Sequence, residues 1–511
     1  MTDTLTSLIA AHPADAPAIG APGRPWLNHG ALRNLAGRVR RQLHEAGIGC
    51  GDRVAIVLPN GPEMASAFFT IAQTATTAPL NPAYRAEEFD FYLTDLKARA
   101  IVLPEGYDGP ALGAAQRSDL VILRLSFEDT DPAGVFTLRA EGDLVQTADM
   151  AALAASDVAL ILHTSGTTSR PKIVPLLQAN VAASARHIVT SLALTPADRC
   201  LNMMPLFHIH GLVAAVSSSL AAGASVWCAP GFDALRFFAW LELARPTWYS
   251  AVPTMHQTIL ARADRNAAII AANPLRFIRS SSASLPAQVM ISLGQTFNAP
   301  VIEAYGMTEA AHQMASNPLP PRAQKPGSVG IAAGPQIRIA HEVENIIMNG
   351  TGEIVICGPN VTPGYEGNPG ANAKSFFDAE GQRWFRTGDQ GTLDNEGYLS
   401  LTGRLKEIIN RGGEKISPLE VDGILMDHPA VQQVVTFAMP HPKLGEEVAA
   451  AVVLREGMVT DEAAIRKFCA DRLADFKVPR RVMILPEIPK GATGKLQRIG
   501  LAEKLGLGPA A

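Results

Sequence analysis

Cysteine is scarce and shows no pairing. Cys50, Cys200, Cys228, Cys357 and Cys469 are scattered and odd in number. No two have metal-ligand or redox spacing, which excludes a disulfide framework and fits free thiols in a reducing, cytoplasmic setting. Long apolar runs are missing too. The longest candidates, such as Gly211 to Ala222, are broken by Ser and Gly and fall short of a membrane span. The opening MTDTLTSLIAAHPADAP has no basic segment ahead of an apolar core, and GLGPAA is no address tag, so neither a secretory leader nor a membrane anchor is expected. No basic run appears and the net charge is -4, which argues against nucleic acid as the main partner. There is no Walker A pattern, no repeat of fixed period and no low-complexity tract.

What is present is an ordinary globular composition, 47% apolar and 18% charged, in a chain of 511 residues, too long for one small core. Strand-like runs such as RVAIVLP (Arg53 to Pro59), VALIL (Val158 to Leu162) and SVWCAP alternate with helix-like stretches, which predicts α/β layers with mainly parallel sheets. Around residue 350 the texture changes. NGTGEIVICGPNVTPGY and RTGDQGTLDNEGYLSLTGR are short apolar runs separated by Gly, Asn and Asp, the pattern of hairpins in a small antiparallel sheet or barrel. A further boundary falls near Leu405 and Lys406. Beyond it Ser417, Pro418 and Glu420 read as N-cap, N1 and N3 of a helix ending near Asp427. A strand (Val431 to Phe437), a helix from about Asp461 to Leu473 and a strand in RVMILP complete a compact α+β unit.

The segment LILHTSGTTSRPKIVPL sets Thr164, Ser165, Gly166, Thr167, Thr168 and Ser169 beside Arg170 and Lys172, straight after an apolar strand. Hydroxyls, free backbone N–H groups and two cations suit a polyanion such as a nucleotide triphosphate, although the same residues also suit a solvated turn. Its companions decide. MPLFHIHGL carries His208 and His210; EAYGMTEAAH carries Thr308, Glu309 and His312; WFRTGDQG carries Asp389. TGRLKEIINRGGEKISP carries Arg404, Lys406, Arg411, Gly412, Gly413 and Lys415, and PKGATGKLQR carries Lys490 and Lys495. Singly, Glu309 could be a surface carboxylate, Asp389 a turn former and Lys495 a loop lysine.

Five motifs in this order resemble the adenylate-forming superfamily of acyl-CoA synthetases, luciferases and peptide-synthetase adenylation domains, from about Leu35 to Lys495. The resemblance implies an α/β fold: a large multi-layer N-terminal domain, two α/β sheets plus a small β-barrel, over residues 1–405, and a smaller, mobile α+β lid over 406–511. It implies ATP, Mg²⁺ and coenzyme A as cofactors. The expected reaction is attack of a carboxylate on the α-phosphate of ATP, giving an acyl-adenylate and pyrophosphate, followed by thiol capture. Positioning and electrostatics would carry most of the catalysis. By the same resemblance Thr164 to Lys172 would hold the β- and γ-phosphates, Thr308 the α-phosphate, and Glu309 the magnesium. Ala304, Tyr305 and Gly306 would line the adenine slot, and Asp389 and Arg404 would meet the ribose. Lys495 would bridge the substrate carboxylate and the α-phosphate. Lys406 would be the hinge, and Arg411, Gly412, Gly413 and Lys415 would meet the pantetheine arm, glycine allowing close approach. The loop departs from the family at Ser169 and Ile173, where glycine is usual, and at His163, where tyrosine is common.

An apolar acid wants a pocket with few polar groups. Here His210, His312 and the serines of RFIRSSSASLP (Ser280, Ser281, Ser282 and Ser284) suit a second carboxylate, and together with the loop they resemble the oxalate–CoA ligase subgroup. His208 would gate near the reacting carboxylate, with Ser282 and His312 on the acid. Malonate-type, other short-chain and 4-coumarate-like acids stay open, as does a carrier-loading adenylation domain, while the presence of Glu309, Asp389 and Lys495 speaks against a nucleotide-binding pseudoenzyme. With no carrier segment in the chain, free CoA is the expected acceptor, acting on a monomer or homodimer.

Overall fold

The computed structural model describes residues 3–142, 151–164, 171–489 and 497–508. Four sheets organise the chain. The first has seven strands in the spatial order Thr137–Ala140, Val121–Ser126, Ala100–Pro104, Arg53–Ile56, Thr76–Pro79, Val158–Thr164 and Lys172–Leu177. Its interior pairs are parallel, and the two ends turn back antiparallel. The second has nine strands. Six run parallel at its centre, from Val301–Met307 through Phe277–Ser281, Trp248–Ala251, Arg199–Asn202 and Ser225–Cys228 to Pro17–Gly20. His312–Ser316 then doubles back on Val301–Met307. Strands buried on both faces, such as Trp248–Ala251 and Phe277–Ser281, are what continuous apolar runs between helices predict.

The Gly-rich middle forms a barrel-like antiparallel sheet of six strands built around the long strand Gln382–Leu393. Past it, Ile409–Arg411, Glu414–Ile416, Val431–His441, Gly445–Leu454 and Arg481–Ile484 make a separate five-stranded sheet. The helix signals are realised: Ser417 caps Pro418–Met426, its hydroxyl accepting from the Glu420 N–H at 3.2 Å, and Asp461 caps Glu462–Ala470. The five cysteines are free thiols. No helix among the described residues is long and apolar enough to cross a membrane.

One element carries no sequence signal. The small-residue stretch after His208 is a π-helical turn, His210–Ser217, continuing as Ser218–Ala221 and wholly buried up to Leu220. A Cβ on Gly211 would lie 2.6 Å from the Pro205 carbonyl oxygen, so the entry is packed too tightly for any other residue. Ser217, Ser218 and Ser219 return their hydroxyls to backbone carbonyls at 2.6–2.8 Å, which satisfies polar groups that water cannot reach.

The long strand of the barrel-like sheet is pinned by a buried ion pair. Arg386 Nη1 lies 2.5 Å from Glu353 Oε2, and Glu353 Oε1 accepts from the Gly388 N–H at 2.9 Å, one residue before Asp389. Burial pushes the Glu353 carboxyl above its ordinary range against the pull of Arg386. Arg386→Met removes that pull, so the folded carboxyl binds its proton still more tightly than the unfolded one, and stability falls as pH rises. The expected loss is about 3 kcal/mol at pH 8 and clearly less at pH 5, read by urea unfolding at both values. An equal loss at the two pH values would show that Arg386 acts by packing alone.

Candidate active site

The three sheets of the first four hundred residues meet at one carboxylate. Glu309 follows the strand Val301–Met307 in a short 3₁₀ turn, Thr308–Ala310, that Thr308 opens. Its side chain is buried, 5% exposed. Oε1 accepts from the Tyr365 hydroxyl at 2.8 Å, and its backbone carbonyl accepts from the Thr362 N–H at 2.7 Å. The Lys172 ammonium sits 4.2 Å from the centroid of the Tyr365 ring. Lys172 opens its strand directly opposite Thr164, so the residues that flank the Ser- and Thr-rich loop pair with each other, and Lys172 feels the Glu309 charge. Ser165, Gly166, Thr167, Thr168, Ser169 and Arg170 lie outside the described residues. Burial raises the Glu309 carboxyl above its ordinary range although Tyr365, Lys172 and Arg404 all favour the charge. Burial lowers the Lys172 ammonium; Glu309 opposes this, and exposed Lys406 adds repulsion.

A second acid lies alongside. Asp389 faces Arg404 across an antiparallel pair, with Arg404 Nε 3.3 Å from Oδ1. Its Oδ2 accepts from the Tyr305 hydroxyl at 2.5 Å. Ala304, Tyr305 and Gly306 are consecutive on the strand Val301–Met307, and Glu309 follows two residues past its end. A Cβ on Gly306 would fall 1.8 Å from the His312 carbonyl oxygen, so glycine is obligatory where these two strands touch.

Beyond Gly306 the structure gathers polar side chains in an otherwise apolar layer. His210 is fully buried at the start of the π turn. Its Nδ1 is 3.0 Å from Ser282 Oγ and its Nε2 is 2.6 Å from Ser250 Oγ. The His312 ring meets it edge-on at 5.2 Å between centroids. Ser282, Ala311 and His312 hold φ of 75°, 46° and 99°, left-handed values that residues with a Cβ rarely adopt and that cluster at functional sites. The serine run does not act as a group. Ser281 commits its hydroxyl to the Ala304 carbonyl at 2.9 Å, Ser284 is exposed, and Ser280 is buried without a partner among the described residues; Ser282 alone of the four hydrogen-bonds to an imidazole. His208 is half-buried two residues before His210, its Nδ1 accepting from the His210 N–H at 3.3 Å.

In the last sheet Gly412 and Gly413 take φ of 61° and 99° in a turn between Arg411, whose Nε is 2.6 Å from Glu447 Oε1, and Lys415, whose Nζ is 2.5 Å from Glu342 Oε2. Lys490 and Lys495 lie outside the described residues.

Comparison with known proteins places this arrangement. The AMP-binding enzyme family model matches residues 7–366, and its C-terminal domain model matches residues 420–495. The chain belongs to the AMP-binding enzyme family. This member is 45% identical to an oxalate–CoA ligase of Arabidopsis thaliana over 97% of this chain and 98% of that protein. It is 42% identical to an oxalate–CoA ligase of Saccharomyces cerevisiae over 88% and 86%. The crystal structure of ATP-bound MatB from Rhodopseudomonas palustris superposes with a TM-score of 0.86 at 29% identity, covering 99% of both chains.

For this AMP-binding enzyme the metal question is narrow. Among the described residues no cluster of three or more His, Cys, Asp or Glu could hold an ion. Glu309 offers one buried, oriented carboxylate. That fits magnesium, which takes one or two carboxylates and completes its shell with phosphate oxygens and water, and it does not fit a self-sufficient protein cage.

Four residues escaped the sequence reading. Tyr365, in the quoted TPGY, carries the hydrogen bond that aims Glu309. Ser250 and Arg279 meet His210, and Gln313 meets Arg279. A charge in the middle of a fully buried strand, as in RFIRSS, was the available signal for Arg279.

Glu309→Gln keeps the Tyr365 hydrogen bond and removes a costly buried charge. The ligand-free protein is expected to melt no lower than wild type, while the thermal shift given by magnesium–ATP disappears and turnover falls by a factor on the order of 100. A large drop in ligand-free melting temperature would instead make Glu309 a structural residue.

Proposed function

We propose that this protein is an AMP-forming acid–CoA ligase that activates oxalate. The observation that carries the choice of acid is the buried polar pocket of His210, Ser282 and His312, where an aliphatic or aromatic acid would need apolar walls. Two relatives at 45% and 42% identity, both oxalate–CoA ligases, support the same reading.

In the first half-reaction one oxalate carboxylate attacks the α-phosphorus of ATP, and pyrophosphate leaves with the bond electrons. In the second the CoA thiol loses its proton and attacks the oxalyl carbonyl, and AMP leaves. The loop from Thr164 to Lys172, with Ser165, Gly166, Thr167 and Thr168, holds the β- and γ-phosphates, and Thr308 meets the α-phosphate. Tyr305, held at Asp389, lines the adenine slot with Ala304 and Gly306, while Asp389 and Arg404 take the ribose hydroxyls. Magnesium, when bound at Glu309, neutralises phosphate charge. Lys495 bridges the attacking carboxylate and the α-phosphate, and His208 stands near the reacting carboxylate. The second carboxylate stays charged close to the phosphates, in a site shielded from water, and is costly there unless donors meet it; Ser282 and His312 supply them. Residues 406–511 act as a lid turning at Lys406, which is exposed and directly precedes the five-stranded sheet. The lid brings Lys495 for adenylation, then Arg411, Gly412, Gly413 and Lys415 for the pantetheine arm.

The test is pyrophosphate release across oxalate, malonate, acetate, octanoate and 4-coumarate, with and without CoA. Oxalate is expected to lead by a wide margin, and a wild type that ignores it refutes the assignment. His312→Ala should cost oxalate about 2–3 kcal/mol in kcat/KM and a monocarboxylate much less. Lys495→Ala should abolish most adenylation yet spare CoA capture of supplied acyl-adenylate, and an equal fall in both steps would make Lys495 structural.

A further inference from the structure

Behind the acid pocket lies a charge that the reaction scheme above does not use. Arg279 sits at the centre of Phe277–Ser281, itself in the middle of the nine-stranded sheet, opposite Ser250 on one neighbour and Ile302 on the other. Its side chain is fully buried. None of its three polar contacts is a carboxylate: Nη1 lies 3.3 Å from Ser250 Oγ and 3.5 Å from His210 Nε2, and Nη2 lies 3.3 Å from Gln313 Oε1. Nε has no partner among the described residues, and no carboxylate among them pairs with the guanidinium. The nearest buried acid on the adjacent strand, Glu303, is in register with Ser280 rather than Arg279 and turns its Oε1 to the Leu285 N–H. Burial pushes the guanidinium down to about 10, which leaves it charged at neutral pH. A buried charge without a counter-ion is strongly unfavourable and persists where something else requires it.

The hydrogen-bond directions say what it does. A guanidinium only donates. Ser250 Oγ therefore accepts from Arg279. The same Nη1 also points at His210 Nε2 at 3.5 Å, which assigns Nε2 as an acceptor and turns the Ser250 proton towards it at 2.6 Å. With Nε2 accepting, the neutral imidazole carries its proton on Nδ1 and donates it to Ser282 Oγ at 3.0 Å. Ser282 is left with its hydroxyl proton to give. Each bond in the string points the same way, away from the cation, and such strings polarise in a low-dielectric interior.

We propose that Arg279 is the positioning residue that sets acid specificity. Through Ser250 and His210 it orients and polarises Ser282 as a donor to the second carboxylate of the acid, and its buried charge is the long-range counter-ion of that carboxylate. The proposal rests on the oxalate reading, and the experiment separates the two.

Wild type, Arg279→Met, Arg279→Lys and Ser250→Ala are compared for KM and kcat on oxalate, on acetate and on ATP, with ATP-induced thermal shifts as a check on folding. If wild type turns over oxalate, the Met variant should raise the oxalate KM by about 30-fold while the ATP KM stays within about twofold, the size expected for losing a charge-assisted donor. The Lys variant should recover most of that loss, and Ser250→Ala, which keeps the charge but breaks the string, should raise the oxalate KM about tenfold. Acetate, with one carboxylate, should be affected far less by any of them. Should the Met variant not fold, Arg279→Lys and Ser250→Ala decide alone. A wild type inactive on oxalate overturns the substrate reading. A wild type active on oxalate whose variants change oxalate and acetate alike, or change oxalate KM less than twofold, overturns the role of Arg279 and leaves the substrate reading intact.

Discussion

The constraint on which the molecule depends is the solvation of Glu309. Its carboxylate is withdrawn from water and held by Tyr365 and Lys172, and each of the three comes from a different part of the fold. Glu309 sits in the turn that follows a strand of the nine-stranded sheet, Lys172 begins an edge strand of the seven-stranded sheet, and Tyr365 lies between two strands of the barrel-like sheet. Backbone bonds run along the same seam. The Thr362 hydroxyl donates to the Pro175 carbonyl at 2.7 Å, and Asn360 donates to the carbonyls of Ala310 and Gln313 at 2.8 and 2.9 Å. Moving any one sheet would strand a charge or a carbonyl in an apolar layer, so the carboxylate and the seam fix each other.

Much of this was legible in the chain because the signals were local. Alternating apolar runs gave the parallel strands, Gly- and Asp-rich spacing gave the antiparallel sheet, and Ser417 and Asp461 announced their helices through the hydrogen bonds that their side chains go on to make. Short motifs marked Glu309, Asp389 and His312, although nothing local said that they would converge. What stayed hidden depends on neighbours distant in sequence. The π turn at His210 follows from a glycine pressed against the Pro205 carbonyl. The serine run looked like four equivalent hydroxyls, and the neighbouring strand sorted them by claiming Ser281. Arg279 is visible as a misplaced charge in the sequence and becomes intelligible only once Ser250 and His210 stand beside it.

The buried ionic groups Glu309 and Arg279 follow opposite designs. Around Glu309 a carboxylate is given a cation and a hydroxyl at close range, and burial still leaves its proton held more tightly than in water. Around Arg279 a cation is given only neutral acceptors, arranged so that their dipoles run outward towards Ser282. The first arrangement is ready for positive charge and the second for negative charge. Arg279 lies on one strand of the nine-stranded sheet, and Glu309 lies in the turn that follows the neighbouring strand.

The contact between Gly306 and His312 has a wider bearing. There the backbones of two adjacent strands touch so closely that not even a methyl group fits. The carbonyl involved belongs to the residue proposed to meet the acid, and the glycine belongs to the wall proposed for adenine. A partition one atom thick cannot be reshaped on one face alone. On the proposed roles, altering the choice of acid through the His312 backbone would also alter nucleotide affinity, so new acids should be reached through side chains at the rim of the pocket before changes in that shared wall.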